Sequence, residues 1–183
     1  DVGAAANLVA TSGGGQNAAI NATFGAPLVA TVTDAGGNAV SGFAVTFTAP
    51  GAGAGGTFAS NGTATETVNT DANGVATSSA FSANATAGAY DVVASGAGVT
   101  DVNFGLTNAV GAPVAVVATS GGGQNATINT AFADMLVVTV TDSGGNPIPG
   151  TQVFFTAPVS GASGTFAING TNTETVTTDA NGQ

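Results

Sequence analysis

The sequence predicts an all-β fold built from two antiparallel β-sandwiches in tandem, the second incomplete. Three observations predict it. Apolar and polar residues alternate over short runs rich in Val, Thr and Phe, as half-buried strands require. Gly, Asn, Asp and Pro divide those runs. The whole pattern then returns after 108 residues.

The repeat is explicit. Thr11-Ser-Gly-Gly-Gly-Gln-Asn17 returns as Thr119 to Asn125, Thr31-Val-Thr-Asp34 as Thr139 to Asp142, and Thr70-Asp-Ala-Asn-Gly74 as Thr178 to Gly182. Of the 75 positions that align without a gap, 49 are identical. Self-similarity of this kind marks copies of one structural unit. The first unit is read as 1–108 and the second as 109–183. Gln183 aligns with Val75, so the second lacks a counterpart of 76–108.

Taken in order, the first strand set is Leu28, Ala30 and Val32, facing inward, with Val29, Thr31 and Thr33 on the other face. Its second copy offers Leu136, Val138 and Val140. Phe43, Val45 and Phe47 form the next inward set. Phe58, Val68, Val75, Phe81, Tyr90, Val92, Phe104 and Leu106 complete the expected core. Turns are expected at Asp34–Asn38, Asn61-Gly62 and Asn73-Gly74, because Asn-Gly and Gly-Gly tolerate the positive φ of tight hairpins. About seven or eight short strands with turns every ~8–12 residues argue for a sandwich. Between the units runs Thr107–Pro113, short and stiffened at Pro113, so rod-like, serially joined units are expected.

These residues resemble the bacterial Ig-like domains of the invasin/intimin type (group 1). The matching segments are Pro27–Asn38, Val40-Ser-Gly42, Val45-Thr-Phe47, Thr70–Ala76 and Ala87–Ala94. The resemblance implies Ig-like sandwiches of the sort found in surface adhesins and long secreted repeat proteins. There the repeats serve as spacers while a separate tip domain binds the target.

Composition narrows the function further. The chain has no Lys, Arg, His, Cys or Trp, and its ten acidic residues give a net charge of −10. Binding to nucleic acid depends on Lys and Arg neutralising phosphates, so that class is excluded. Attraction of a polybasic segment to anionic lipid is excluded likewise. Trypsin-like proteases find no cleavage site, which suits an extracellular or cell-surface setting. Without lysine, Lys–Asn isopeptide cross-links cannot form, so packing and the hydrogen-bond ladder must hold the fold. No apolar run approaches the ~18 residues of a membrane helix. The start lacks the basic end and apolar block of a signal peptide, so Asp1 reads as a mature or internal start.

Catalysis has few candidates. A Ser-His-Asp or Cys-His arrangement is impossible. Asp1, Glu66 and Tyr90 are among the few groups able to move a proton. Glu66 and Glu174 are one position in two copies, so a convergent carboxylate pair is not expected. No catalytic, cofactor-binding or metal residue is therefore assigned, and no cofactor. Asp71-Ala-Asn73-Gly74 resembles the start of an EF-hand loop, but no glutamate follows at the required spacing, and it reads as a hairpin turn. A calcium site between units could draw on Asp1, Asp101 or Asp134, too few acids for the six to eight oxygens calcium prefers. Gly13–Gly15 and Gly121–Gly123 lack the lysine of a phosphate loop and read as bulged connections. Sequons stand at Asn21, Asn61, Asn84, Asn125 and Asn169. Phe154 replaces Thr46 at an outward position, where a lone exposed apolar residue is normal and a lateral or inter-unit contact is the alternative; the Thr/Asn/Ala-rich outer faces read as the plain surface of an extracellular repeat, with a flat array for ice or glycan as the lesser alternative.

The expected function is a structural module of an extracellular fibre, stalk or surface adhesin, acting as a rod-like spacer. The alternative is a binding module whose faces contact carbohydrate or neighbouring filaments. Expected partners are other copies of the chain or adjacent repeats in a fibre, with no nucleic acid and no membrane insertion. A neighbouring chain could also complement the missing strands of the second unit.

Overall fold

The computed structural model describes residues 2–183, and every regular element among them is a β-strand. The fold is all-β. The chain forms two compact units that meet between Val110 and Gly111.

The first unit carries ten strands. They are β1 (Ala5–Ser12), β2 (Gln16–Ala19), β3 (Val29–Asp34), β4 (Ala44–Thr48), β5 (Gly56–Phe58), β6 (Thr65–Asn69), β7 (Val75–Thr77), β8 (Phe81–Ala83), β9 (Gly88–Ser95) and β10 (Val102–Ala109). One sheet has the order β1-β3-β7 and the other β2-β10-β9-β4-β6, with β5 and β8 forming a short ladder of their own. The result is an Ig-like sandwich whose core lies between the sheets.

Strand alternation behaves as the sequence dictates along β3, where Leu28, Ala30 and Val32 are sealed. A line of phenylalanines crosses the core. Phe24 stacks on Phe81 at 5.8 Å, Phe81 meets Phe58 at 4.6 Å, Phe58 meets Phe47 at 6.3 Å, and Phe47 meets Phe104 at 5.9 Å. Such offset contacts add to what area burial alone contributes.

Several sequence expectations are corrected. Val75 lies on the outer side of β7 opposite Thr31, and Ala76, opposite Ala30, faces the core instead. Phe43, Val68 and Tyr90 are only partly buried, packed at the rim of the core. Asn73-Gly74 does not close a hairpin: it joins β6 to β7, which belong to different sheets. One ladder departs from the antiparallel rule, since β2 pairs with β10 in parallel, from Gln16↔Leu106 to Ala19↔Ala109. The cause is Gly13–Gly15, which carries the chain from one sheet to the other between β1 and β2. Gly13 adopts φ +92°, and a Cβ there would fall 2.2 Å from the Pro27 carbonyl oxygen. Only glycine fits such a crossing.

The second unit carries β11 (Ala115–Ser120) paired with β12 (Val137–Thr141), and β13 (Gln152–Thr156) paired with β14 (Thr173–Thr177). Both ladders are antiparallel. Its sealed hydrophobic residues are Val140, Ile148 and Val153. The rest of its inner face is open. Leu8, Ile20, Phe24 and Leu28 are 6%, 7%, 5% and 1% exposed, and their counterparts Val116, Ile128, Phe132 and Leu136 are 61%, 87%, 57% and 51% exposed. The inward placement expected of Leu136 therefore fails. Its side chain has the right face but nothing against which to pack.

Candidate functional site

The acidic side chains are the natural place to look for chemistry, and most of them serve the backbone. Asp34 follows Leu28, Ala30 and Val32 at period two, so it too turns inward, at the end of β3. Its carboxylate accepts hydrogen bonds from the backbone N–H of Gly3 (2.8 Å), Gly36 (2.9 Å) and Asn38 (2.8 Å), and from the Asn38 amide. Asp142 repeats the arrangement with Gly111 (2.9 Å), Gly144 (2.9 Å) and Asn146 (2.9 Å). Each aspartate thus ties a turn and also clips the segment that leads into its own unit.

The Gly3 N–H above all, then the Asn38 side chain and backbone, hold the Asp34 carboxyl at about 2. Burial pushes Asp142 up, but bonds from Gly111, Asn146 and Gly144 outweigh it, and the net shift is downward. A depressed carboxylate contributes stability that is present above the unfolded value of about 3.9. That stability is lost as pH falls through the folded value. The melting temperature of the first unit is accordingly expected to hold steady from neutrality to about pH 4 and to drop toward pH 2. Thermal melts across that range check it. Asp34→Asn should flatten the acid limb, and an unchanged limb would assign the loss to other groups.

Asp71 forms a turn in which its Oδ1 accepts from Asn73 N–H (2.8 Å) and Val75 N–H (2.9 Å). Asp179 does the same with Asn181 and Gln183. Asp101 and Asp134 are exposed, and Asp1 lies outside the described residues. Among the described residues no group of three or more acids is gathered where it could hold a metal ion.

Glu66 turns inward on β6, nearly buried, and its Oε2 accepts the Ser79 N–H at 2.9 Å. Glu174 occupies the same position on β14, half-buried. Tyr90 donates its hydroxyl to Asn108 Oδ1 at 3.0 Å, and burial pushes its ionisation up to about 12. The folded chain therefore holds this proton longer than the unfolded chain, where tyrosine ionises near pH ~10. Stability from this group is intact below pH ~10 and is lost as pH rises toward 12. Tyr90 is the sole tyrosine, and there is no tryptophan, so tyrosinate absorbance reads it alone. The expected midpoint is close to 12, with unfolding on the same limb. A midpoint near 10 in the folded chain would contradict the buried hydroxyl.

Two polar residues carry more than their sequence context suggests. Asn108 is 1% exposed. Its Nδ2 donates toward Gly55 O (2.9 Å), Thr86 O (3.0 Å) and Asn84 Oδ1 (3.1 Å). It locks β10 to two loops. The signal was the period: Phe104, Leu106 and Asn108 lie on one face. Gln16 bridges Gly13 O (2.6 Å) and Ala26 (N–H to Oε1, 2.8 Å), holding the sheet crossing in shape. Gln124 repeats this with Gly121 and Asp134. The glycine runs are thus built crossings, held by a glutamine three residues after their first glycine.

The surface features are likewise engaged. Asn61, Asn84 and Asn169 donate their side-chain amides to Thr65 O, Gly53 O and Thr173 O, so three sequon amides already have partners. Thr11–Thr31 and Thr46–Thr67 pair hydroxyl to hydroxyl across strands, at 2.7 and 2.9 Å. Phe154 stands out from β13 at 70% exposure. A shallow hollow of about 460 Å³ is walled by Gln16, Tyr90, Asp91, Gly105 and Thr107 among others. Tyr90 is its one aromatic, and that hydroxyl is committed to Asn108.

No family model matches the chain, and no curated protein matches it. Among solved structures it is similar to invasin, described as a bacterial integrin-binding protein, with 20% identity and a TM-score of 0.46. That similarity covers 93% of this chain and 33% of the other. It is also similar to the Escherichia coli adhesin FdeC, with 20% identity and a TM-score of 0.43, over 93% of this chain and 54% of the other. The chain spans about a third and about half of the lengths of these two proteins.

Proposed function

We propose that the chain is a non-enzymatic structural module of an extracellular stalk, fibre or surface adhesin, in which Ig-like units follow one another as a rod-like spacer. The observation that carries this reading is the joint. Ala109 O accepts the Ile20 N–H at 3.0 Å inside the first unit, and Gly111 N–H is held by Asp142 at 2.9 Å inside the second. One residue, Val110, separates the two anchors. Pro113 then fixes φ, and Val114 N–H donates to Thr141 O at 2.9 Å. A connection with so few free dihedrals suits a module whose task is to hold spacing. The engagement of Glu66, Tyr90 and Asp34 in structural bonds supports a role without catalysis. The absence of Lys and Arg supports a setting rich in proteases.

Small-angle scattering tests the joint. The wild-type chain is expected to scatter as two units with correlated placement, and a run of glycines inserted after Val110 is expected to erase that correlation. Asp142→Ala should raise the nanosecond mobility of Val110–Pro113 in backbone relaxation while the first unit is unchanged. If wild type and the glycine insertion scatter alike, the joint is loose and the spacer reading fails.

A further inference from the structure

One glycine of the first unit stands where the fold does not require it. Gly105 lies in the middle of β10, on the face turned away from the core, between Asn103 and Thr107. Its φ is outside the left-handed region. A Cβ there would meet only Asp91 Oδ1, at 3.5 Å, which is ordinary contact. Glycine inside a strand weakens it, and it marks a bulge, a tight bend or the close approach of a ligand or another backbone. The ladder from β10 to β9 runs without a shift from Val102↔Ala94 to Asn108↔Gly88, so there is no bulge. No backbone atom beyond its chain neighbours lies within 4 Å of the Cβ position, so no other strand crosses it. What remains is room for a ligand.

The missing side chain forms the floor of the hollow of about 460 Å³. Gly15, whose Cβ position is also open, extends that floor toward β2. Asp91 pairs with Gly105 from the neighbouring strand. Its Oδ2 accepts the Asn103 amide at 3.3 Å, and its Oδ1 overhangs the glycine. Among the described residues, Asp91 Oδ1 and the Thr107 hydroxyl have no protein partner. Asp34, Asp71, Asp142 and Asp179 give their carboxylates to backbone N–H groups. Asp91 keeps an oxygen free and directs it into the hollow.

The walls select the ligand. A free carboxylate oxygen only accepts, and a threonine hydroxyl both donates and accepts, so the ligand must bring donors. A peptide strand cannot add here, because β10 already has β2 and β9 on its two sides. With no Lys or Arg and a net charge of −10, the chain repels anions. One carboxylate falls short of the about six to eight oxygens that calcium takes. A neutral, hydroxyl-rich ring meets every condition. Two adjacent hydroxyls donate to Asp91, another pairs with Thr107, and the C–H face of the ring lies on the glycine floor. Bonds to an ionised acceptor are stronger than neutral ones. The volume falls within the roughly 300–1,000 Å³ of small-ligand sites. We propose that the hollow over Gly105 binds a neutral saccharide, held by Asp91 and Thr107. The proposal does not depend on the spacer reading, because the site lies wholly within the first unit.

The test titrates the isotope-labelled full chain with the methyl pyranosides of glucose, mannose and galactose, and separately with sialic acid and with calcium chloride. At least one neutral glycoside is expected to move the amide signals of Gly15, Asp91, Gly105 and Thr107 saturably, with a Kd of about 1–10 mM. Asp91→Ala is expected to weaken that binding about tenfold or more, and Gly105→Val to abolish it by filling the floor. Gly105→Ala is expected to melt no lower than the wild type. Absence of saturable shifts with all three glycosides would overturn the proposal, as would the same shifts produced by calcium or by sialic acid in their place. A lower melting temperature for Gly105→Ala would also overturn it, by making the glycine a requirement of the fold.

Discussion

Residues 1–110 expressed alone are expected to unfold in one cooperative transition, and residues 111–183 alone are expected to show none. The two fragments share most of their sequence, so local propensity does not separate them. Core closure does. The first unit seals Leu8, Phe24, Leu28, Phe47, Phe58, Phe81, Phe104 and Leu106 in one cluster. The second seals Val140, Ile148 and Val153, with Val138 and Phe155 partly covered. Each large side chain moved from water into a core contributes roughly 1.5–3 kcal/mol, against a typical domain stability of about 5–15 kcal/mol. Exposing the counterparts of Leu8, Phe24 and Leu28, with nothing in place of Phe81 and Phe104, removes an amount comparable to that whole margin. Open ladder edges also leave backbone groups unpaired. Circular dichroism melts with dye binding check this, and a sharp melt of 111–183 alone would refute it.

The second large effect is expected at Phe58. Its ring is fully buried and lies between Phe81 at 4.6 Å and Phe47 at 6.3 Å. Phe58→Ala opens a cavity at the centre of the phenylalanine line. Such substitutions cost about 3–5 kcal/mol, which approaches the whole stability of a small domain. Denaturant midpoints of the first unit should shift accordingly, with the slope preserved. Phe166→Ala, the same change in the second unit, should cost a small fraction of this, because that ring is half-buried and, among the described residues, contacts one other ring, Phe155, at 6.2 Å. Equal losses at the two positions would mean that the second core is closed in solution.

Much of the fold was legible because period two is a local signal. Leu28, Ala30 and Val32, or Phe104 and Leu106, fall on one face wherever the strand ends up. Three kinds of feature escaped. Register at strand ends did: Val75 and Ala76 are both apolar, and the crossing from β6 to β7 decides between them. Residues outside regular strands did: Phe24 sits in an irregular stretch and yet joins the core. Inward polar residues did as well, because Asp34, Glu66 and Asn108 read as surface by type but as core by period. Their partners are Gly3, Ser79 and Gly55, at 31, 13 and 53 residues' separation. No local reading supplies those. Leu136 marks the opposite limit, since the sequence assigns its face correctly while its exposure depends on what lies across from it.

The parallel pairing of β2 with β10 has a mechanical consequence. The chain enters β2 from its N-terminal side and leaves β10 at Ala109, and the two strands point the same way. Tension applied along the polypeptide first peels β1 from β3, starting at Ala5, and then slides β2 and β10 past one another. It strains the contacts from Gln16↔Leu106 to Ala19↔Ala109 together, where an antiparallel pair pulled from one end would unzip bond by bond. Loading in shear raises the force a unit withstands, because several hydrogen bonds must fail at once. The glycines at 13–15, by turning the first strand across to the second sheet, set the direction in which this unit resists being pulled apart.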